Sequence, residues 1–369
     1  MKLQFLTTYY SPFLNAFYTR HPDFLSFSYQ QMLDKLLNEQ FADTGALYHH
    51  CIKHQNECSL IIANCEPLQK QWAKENNVVY SKAEWQKEIA MAQIKQFAPD
   101  VFYIESIFNY FGDFLKEAKS YCKSIVSWIS TPITESLKLN DIDLILSSTP
   151  DFVEKFRNKG IKSEYMLPAF DVRILDLLDT NNKKDIPFSF VGGWSGVHVN
   201  RKIALEELVR KTTIQLWGYG FKRKQYNKKT LKFYKDFLFP ETDPIMDAYR
   251  GELWGLEMYS VLKRSLITFN IHESLLKGRV GNMRMFEASG VGTMILNDNG
   301  TNLSEIFIPG KEIEVYNSID EAIEKINYYK SNPEKAIEIG LNAQKKTIKD
   351  YNYDVFVAQL IQHLKNNLQ

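Results

Sequence analysis

A basic, glycine-bearing loop that leads into a short helix contains the residues best suited to chemistry. It follows the apolar run 266–270, which has the composition of a buried strand. The cationic and glycine residues of the loop are Lys277, Gly278, Arg279 and Gly281. Asn282 is of a type preferred at helix N-caps, and Gly290 lies where a glycine would end the helix. Free N–H groups and the helix dipole both favour phosphate, so this loop predicts an anion-binding site.

Asn282, Arg284 and Glu287 share this short helix and admit two interpretations. Arg284 falls in the first turn, where a cation opposes the helix dipole and needs an anionic partner. Glu287 lies three residues on, so the two side chains could form an ordinary surface ion pair worth about 0.2–0.5 kcal/mol. Alternatively, Asn282 and Arg284 bind a diphosphate with the loop amides, and Glu287 accepts hydrogen bonds from ribose hydroxyls.

A second glycine turn lies upstream, between an apolar run and a predicted helix. The segment FVGGWSG contains Gly192 and Gly193, which allow a backbone to approach phosphate closely, although its GGxxG pattern alone is weak. Further on, Gly218 and Tyr219 follow another predicted strand and could flank a nucleotide base. Trp217, directly before them, is expected in the core.

Glu105 is the candidate general base of the N-terminal half. It directly follows the predicted strand 100–104, where a carboxylate could take a proton from an acceptor hydroxyl. A solvated loop carboxylate is the competing interpretation. Further residues predicted at the same rim are Tyr10, His21 and Asn109.

The histidines and cysteines raise the question of a metal site. His50, His54 and Cys58 are spaced at i, i+4 and i+8 on one helical face, and zinc can use such ligands. No second pair completes a set of four, so we expect no metal. The four cysteines contain no CxxC pair, which favours reduced thiols over disulfides.

Composition limits the class of partner. The 369 residues have a formal net charge of +1, because 45 Lys and Arg nearly balance 44 Asp and Glu. This balance does not predict nucleic acid or an anionic membrane as the main partner. The N-terminus lacks the apolar core of a signal peptide, and no apolar run reaches the roughly twenty residues of a membrane span. A cytoplasmic location is therefore expected.

Short apolar runs alternate with amphipathic segments, which is typical of parallel sheets covered by helices. The predicted strands are 3–8, 59–64, 100–104, 124–130, 143–148 and 164–168, then 188–191, 214–219, 265–270, 293–297 and 312–316. They predict two doubly wound, Rossmann-like α/β domains, 1–172 and 173–352, that face a cleft. The polar segment 179–187 is expected as a surface linker, and the final helix, 353–369, is predicted to pack back on the N-terminal domain.

The chain resembles the CgeB-like (spore-maturation-type) glycosyltransferases, which have the GT-B fold. The resemblance covers about residues 140–355. It rests on FVGGWSGVHVNRKIALEEL, LWGYG, FNIH, NMRMFEASGVG, LSEIF and PGKEIEVYNSIDEAIEKI, in that order. It implies a nucleotide sugar in the C-terminal domain and an acceptor in the N-terminal domain. It also implies that Arg201 lies near the diphosphate and that His272 lies beside the leaving phosphate or the donor sugar. For Arg201 the alternative is a solvated position at the start of a helix, and for His272 it is a strand-end histidine bonded to backbone.

One departure from the pattern leaves the stereochemistry open. Related retaining enzymes often have a second Glu eight residues before the position of Glu287, and here that position is Arg279. Lys277 and Arg279 could instead neutralise phosphate directly.

These observations predict a hexosyltransferase-like enzyme that moves a sugar from a UDP, GDP or dTDP sugar to a hydroxyl of a glycan, glycolipid or protein glycan. No cofactor is expected, and positive groups rather than a divalent metal are predicted to stabilise the leaving diphosphate. Neither a nucleic acid nor a transmembrane segment is expected, while peripheral membrane contact and the oligomeric state stay open. A non-hydrolysing nucleotide-sugar epimerase and a catalytically inactive nucleotide-sugar-binding module are the alternatives.

Overall fold

The structure is a computed structural model that describes residues 1–105, 107–133, 137, 139–181, 183–194, 199–222, 243–272 and 278–368. Two compact units make up the chain. The first comprises Met1–Val172 together with Asp350–Gln369, and the second comprises Arg173–Lys349.

The first unit is built on a six-stranded parallel sheet in the order β2-β1-β3-β4-β5-β6. Its strands are β1 (Lys2–Thr7), β2 (Glu57–Ile62), β3 (Val101–Ile104), β4 (Ser124–Trp128), β5 (Leu144–Ser147) and β6 (Ser163–Tyr165). All residues of β3 and β5 are buried, as expected for strands covered on both faces. The order reverses between β1 and β3, so loops leaving these two strands diverge and open a crevice at the carboxyl edge.

Helices connect these strands. They are α1 (Ser11–Arg20), α2 (Tyr29–Asn38), α3 (Asp43–Lys53), α4 (Glu66–Glu75), α5 (Trp85–Phe97), α6 (Asp113–Ala118) and α7 (Pro150–Asn158), with 3₁₀ turns at Phe24–Ser26, Ile107–Asn109 and Lys119–Tyr121. Local chemistry fixes several starts: Ser28 and Gln31 form a capping box at α2, and proline occupies the first turn of α1, α4 and α7.

The second unit contains a five-stranded parallel sheet in the order β11-β10-β9-β7-β8. Its strands are β7 (Ile186–Val191), β8 (Gln215–Trp217), β9 (Ser265–Asn270), β10 (Met294–Asp298) and β11 (Glu314–Tyr316). The order reverses between β7 and β9, which pair directly with Ser189 opposite Thr268. The predicted linker 179–187 lies inside this unit, and its last two residues, Ile186 and Pro187, already belong to β7.

Its helices are α8 (Ile174–Leu177), α9 (Val199–Lys211), α10 (Pro244–Ala248), α11 (Gly255–Arg264), α12 (Met283–Gly290), α13 (Leu303–Ile306), α14 (Ile319–Ser331) and α15 (Pro333–Asp350). The expectation that Gly290 stops α12 from outside is wrong. Gly290 is the last helical residue, and Gly292 adopts the left-handed φ of +76° that closes the helix. Gly292 N–H donates to Ser289 O, and Thr293 N–H donates to Ala288 O.

The last helix, α16 (Tyr353–Leu368), belongs to the first unit and contacts α3. Asp354 in its first turn lies 2.6 Å from Lys53 Nζ and 2.9 Å from His50 Nδ1. The Tyr353 ring stacks on the His50 ring at 5.7 Å. Within the described ranges, no helix has the length and apolar character needed to cross a membrane.

Candidate functional site

The loop after β9 delivers the start of α12 to the carboxyl edge of the second sheet. Asn282 is the N-cap of α12, as predicted, with extended backbone at φ −75° and ψ 161°. Its side-chain oxygen accepts a hydrogen bond from Met285 N–H at 3.3 Å. Gly281, before it, has a φ of +140°, which a residue with a Cβ rarely adopts. The cap leaves the amides of Met283 and Arg284 without an intrahelical partner, because first-turn N–H groups have none.

His272 lies directly behind this helix start and is buried. Its Nδ1 lies 2.7 Å from Asp298 Oδ1, and its backbone N–H donates to Asp298 Oδ2 at 2.9 Å. Its Nε2 accepts from the N–H groups of Gly281 at 3.1 Å and Asn282 at 3.3 Å. An Nε2 that accepts from two amides has no proton, so Nδ1 is the protonated nitrogen that donates to Asp298. The catalytic role predicted for His272 therefore requires one of these bonds to break.

Three asparagines tie the helix start to the ends of β9 and β10. Asn270 and Asn282 exchange two side-chain hydrogen bonds, each of 3.1 Å. Asn270 Nδ2 also donates to Asn297 Oδ1 at 2.6 Å. Asn270 and Asn297 are buried, so these amide groups depend on one another for hydrogen bonds. The Asn282 side chain is used by the cap and by Asn270 in this state.

Arg284 and Glu287 pair with each other. Arg284 Nη1 lies 2.7 Å from Glu287 Oε2 and 3.1 Å from Met258 Sδ. The side chains are only 18% and 14% exposed, so this ion pair is more sheltered than the surface pair considered from the sequence.

Asn302 forms hydrogen bonds with the backbone of the basic loop before α12. Val280 N–H donates to Asn302 Oδ1 at 2.9 Å, and Asn302 Nδ2 donates back to Val280 O at 2.8 Å. Gly278 O accepts from Thr301 N–H at 2.9 Å. Arg279 lies between these anchors and is partly buried. Lys277 lies outside the described residues.

The structure brings the predicted residues Gly192, Gly193, Gly218 and Tyr219 together at the ends of β7 and β8. Gly192 N–H donates to Trp217 O at 2.9 Å, and Trp194 N–H donates to Tyr219 O at 2.8 Å. A Cβ on Gly218 would lie 2.0 Å from Gly192 O, and one on Gly193 would lie 2.7 Å from the Tyr219 ring. Gly218 therefore requires glycine because its turn packs directly on the Gly192 backbone, whereas a side chain at Gly193 would displace the Tyr219 ring.

Arg201 joins this double turn from the first part of α9. Its Nη1 donates to Gly193 O at 3.1 Å, and its guanidinium lies 5.8 Å from the centre of the Phe190 ring. The Tyr219 ring stacks on Trp254 at 5.9 Å with an interplanar angle of 16°. Trp254 gave no signal in the sequence, since an isolated aromatic residue does not show which ring it will face.

Glu105 lies in the first unit, at the end of β3 and beside the crevice between β1 and β3. Its backbone N–H donates to Leu6 O at 3.1 Å. Its Oε2 accepts from the Thr7 hydroxyl at 2.9 Å and from the Thr44 hydroxyl of α3. Burial and the nearby Asp43 carboxylate raise the pKa of Glu105 to about 8, although the two hydroxyls oppose the shift. Glu105 is thus not an ordinary solvated carboxylate.

The other three residues predicted at this rim lie at different places in the first unit. Tyr10 is 54% exposed and packs edge-on against Phe41 at 5.8 Å. Asn109 lies in the 3₁₀ turn after β3. His21 Nε2 lies 2.9 Å from Glu39 Oε1, and its ring is 4.6 Å from Phe17, so it joins α1 to the end of α2.

The histidines weighed as zinc ligands pair instead with carboxylates. His50 lies between Asp354, at 2.9 Å, and Asp171, at 3.4 Å. His54 Nε2 also approaches Asp354, at 3.3 Å. Among the described residues, no group of three or more His, Cys, Asp or Glu could hold a metal ion.

Residues 181–362 match a family model described as glycosyl transferase-like. The segment spans β7 to β11 and therefore contains the whole sheet of the second unit. No curated protein matches the chain in sequence.

Solved structures of low sequence identity are similar over the full chain. Anabaena Alr3699/HepE in complex with UDP-glucose has a TM-score of 0.59 and 12% identity, covering 99% of this chain and 100% of that chain. A Rickettsia africae glycosyltransferase has a TM-score of 0.58 and 10% identity, covering 100% and 98%. Sucrose-phosphate synthase from Thermosynechococcus elongatus has a TM-score of 0.57 and 10% identity, covering 99% and 98%. These likenesses confirm the predicted GT-B fold.

Proposed function

We propose that the protein, a glycosyltransferase of the GT-B fold, moves a sugar from a nucleotide-diphosphate sugar to a hydroxyl of a carbohydrate-type acceptor. The observation that carries the donor half of this proposal is the start of α12. There a capped helix N-terminus, Arg284 and Arg279 lie at the carboxyl edge of a parallel sheet within the family-matched segment. Such an edge is where doubly wound sheets bind their ligands.

The diphosphate would bind the amides of Met283 and Arg284 and the Arg284 guanidinium. Amides and dipole supply positive potential without a proton to lose, and a guanidinium can bind two phosphate oxygens at once. Glu287 would then be released from Arg284 to accept hydrogen bonds from the ribose hydroxyls. Arg279, and Lys277 outside the described residues, would add positive charge at the same end.

The double glycine turn would take the rest of the nucleotide. Gly192 and Gly193 let a ligand approach the backbone closely, and Arg201 holds Gly193 O. Gly218 and Tyr219 would flank the base, and the Tyr219 ring is stacked on the Trp254 ring. UDP is the first nucleotide to test because the similar HepE structures are complexes with UDP and UDP-glucose.

On the acceptor side we propose Glu105 as the general base. In its ionised form it would take the proton of the attacking hydroxyl as the new C–O bond forms at the anomeric carbon. The bond from that carbon to the diphosphate breaks, and the diphosphate leaves with its added charge facing the α12 amides and Arg284. Preorganised dipoles of this kind stabilise a leaving group without a metal ion, so we propose metal-independent transfer.

The finer subfamily is also a proposal. The motif order from FVGGW to SIDEAIEKI supports a CgeB-like enzyme, while the family match supports glycosyltransferases more broadly.

A thermal-shift titration with UDP, GDP and dTDP, followed by an assay of nucleotide release from their sugars, tests the proposal. A bound diphosphate should raise the melting temperature by mass action. Binding with no release across a broad set of donors and acceptors would favour the inactive binding module. An absence of binding to all three nucleotides would contradict the proposal.

A further inference from the structure

We propose that Asp298 and His272 are positioning residues that set the shape of the donor loop. Both act through the backbone amides of Gly281 and Asn282 rather than on the sugar. The inference rests on the proposed donor site at the start of α12, and it assigns His272 a role different from the predicted catalytic one.

The two loop amides donate to His272, and His272 in turn donates to Asp298. Asp298, at the end of β10, accepts from both the backbone N–H and the ring Nδ1 of His272, at 2.9 and 2.7 Å. Two bonds from one carboxylate fix the ring orientation as well as its tautomer. The opposite nitrogen, Nε2, must then accept, and it does so from two consecutive amides at 3.1 and 3.3 Å.

Burial makes these bonds necessary for the local fold. The His272 side chain is 3% exposed, and Gly281 is buried. Without Nε2, the amides of Gly281 and Asn282 would be left without their acceptor inside the protein, which is costly. The Gly281 φ of +140° would also lose one of the bonds that hold it.

These hydrogen bonds determine which amides at the start of α12 remain available to the phosphate of the donor substrate. Because His272 occupies the amides of Gly281 and Asn282, a phosphate at this helix start is left with those of Met283 and Arg284. The ring thus places the phosphate one residue further into α12, next to the Arg284 side chain. Loss of the ring would free the outer amides and let the loop and the anion shift together.

Two substitutions at one position separate positioning from catalysis. In His272→Gln, the side-chain oxygen can reach the place of Nε2 and accept from the two amides, but it cannot exchange a proton. In His272→Phe, the ring volume stays and the acceptor is lost. We expect nucleoside diphosphate affinity to fall by about tenfold in His272→Phe, as for one or two lost hydrogen bonds, and to be largely restored in His272→Gln. In both variants kcat at saturating donor should change much less than KM.

Asp298→Asn supplies the second test, because an amide cannot accept from both His272 donors as the carboxylate does. Hydrogen exchange of the Gly281 and Asn282 amides measures, without any ligand, whether these amides are still hydrogen-bonded to His272. Exchange should accelerate in His272→Phe and Asp298→Asn but not in His272→Gln. Lys211→Ala, which removes exposed ion pairs on α9, is the control and should change neither readout.

The outcomes are distinct. Equal loss of kcat in His272→Gln and His272→Phe, with unchanged affinity, would overturn the proposal in favour of catalysis by the ring. Unchanged amide exchange in His272→Phe would overturn it outright. If the parent binds no nucleotide but amide exchange accelerates in His272→Phe and Asp298→Asn, the positioning role is supported and the proposed function fails.

Discussion

Arg284 and Glu287 lie one helical turn apart on α12, and their ion pair spans 2.7 Å between Nη1 and Oε2. The proposed function assigns these same two side chains to different parts of the donor, the diphosphate and the ribose. Binding must therefore exchange one ion pair for two ligand contacts. This exchange is favourable only if the nucleotide supplies both an anion and hydroxyl groups.

Arg284→Ala should weaken nucleoside diphosphate binding by roughly 1–3 kcal/mol, because a charged hydrogen bond to phosphate is lost. The free energy of unfolding should fall by more than the roughly 0.2–0.5 kcal/mol of an exposed i,i+3 pair, because the sheltered Glu287 carboxylate loses its partner. Calorimetric titration and denaturant unfolding of the same variant measure the two quantities. Glu287→Gln should weaken a ribonucleotide more than its 2′,3′-dideoxy analogue.

Arg264→Ala is the matched control for this experiment. Arg264 also pairs with an acidic side chain, Asp185 at 2.8 Å, but it precedes β9 and so lies at the opposite edge of the sheet. It should leave nucleotide affinity unchanged. Equal affinity of Arg284→Ala and the parent would remove Arg284 from the phosphate site.

Glu105 should give the transfer rate an alkaline dependence. Because burial and Asp43 raise its pKa to about 8, the ionised base forms only as the pH rises through that value. The kcat of the parent should rise over this range. Glu105→Gln should lower kcat by about 10²–10⁴-fold, the usual contribution of a general base, and abolish the rise. Glu117→Gln, at an exposed carboxylate paired with Lys95, is the control. A retained pH profile in Glu105→Gln would exclude this residue as the base.

The same raised pKa predicts a stability effect of defined sign. Between the ordinary value of 4.5 and about 8, the unfolded chain ionises this carboxyl while the folded chain keeps its proton. The folded state then binds more protons, so its contribution to stability falls as the pH rises through this window. Glu105→Gln cannot ionise and should lose less stability than the parent between pH 5 and about 8. Urea unfolding at both ends of the window measures the difference. A parallel decline in the two proteins would contradict the raised pKa.

The sequence predicted the backbone well because buried parallel strands are continuous apolar runs. Each predicted run overlaps a strand of the structure, and the final helix, Tyr353–Leu368, lies within its predicted range. Asn282 was identified as an N-cap from its residue type alone. Gly290 was misplaced because Gly292 lies two residues further on, and a sequence does not show which of two near glycines takes the positive φ.

Side-chain partners could not be predicted in the same way. The role of His272 depends on Asp298, which is distant in sequence and meets it only because β9 and β10 are neighbours in the sheet. Asn270, Asn297 and Asn302 were missed for the same reason, since their partners come from other strands and loops. Both Asn297 and Asp298 lie at the carboxyl end of β10, so strand ends were the one available signal.

Metal independence is a further expected outcome. Arg201, Arg279 and Arg284, together with the start of α12, are proposed to supply positive charge for the leaving diphosphate. Transfer should therefore continue after dialysis against a chelator, with kcat within about twofold of the untreated enzyme, if protein dipoles supply the stabilisation. The measurement is nucleotide release with and without added Mg²⁺ or Mn²⁺. Activity that disappears with the chelator and returns with either ion would contradict the prediction.

Gly218→Ala should disrupt the double turn that is proposed to hold the nucleotide. Gly218 has a φ of +135°, and an added Cβ would lie 2.0 Å from Gly192 O, so the two turns must move apart. Gly160→Ala is a matched control, since Gly160 follows α7 in the first unit and has a φ of +78° and no atom within 4 Å of the added Cβ. Both variants should lose stability through backbone strain, by about 1–3 kcal/mol. Only Gly218→Ala should also lose nucleotide affinity, because only there does the contact between the turns change. Titration of both variants with nucleotide below their melting temperatures distinguishes the effect of backbone strain from that of the Gly192–Gly218 contact. An equal loss of affinity in the two variants would mean that this contact does not shape the nucleotide site.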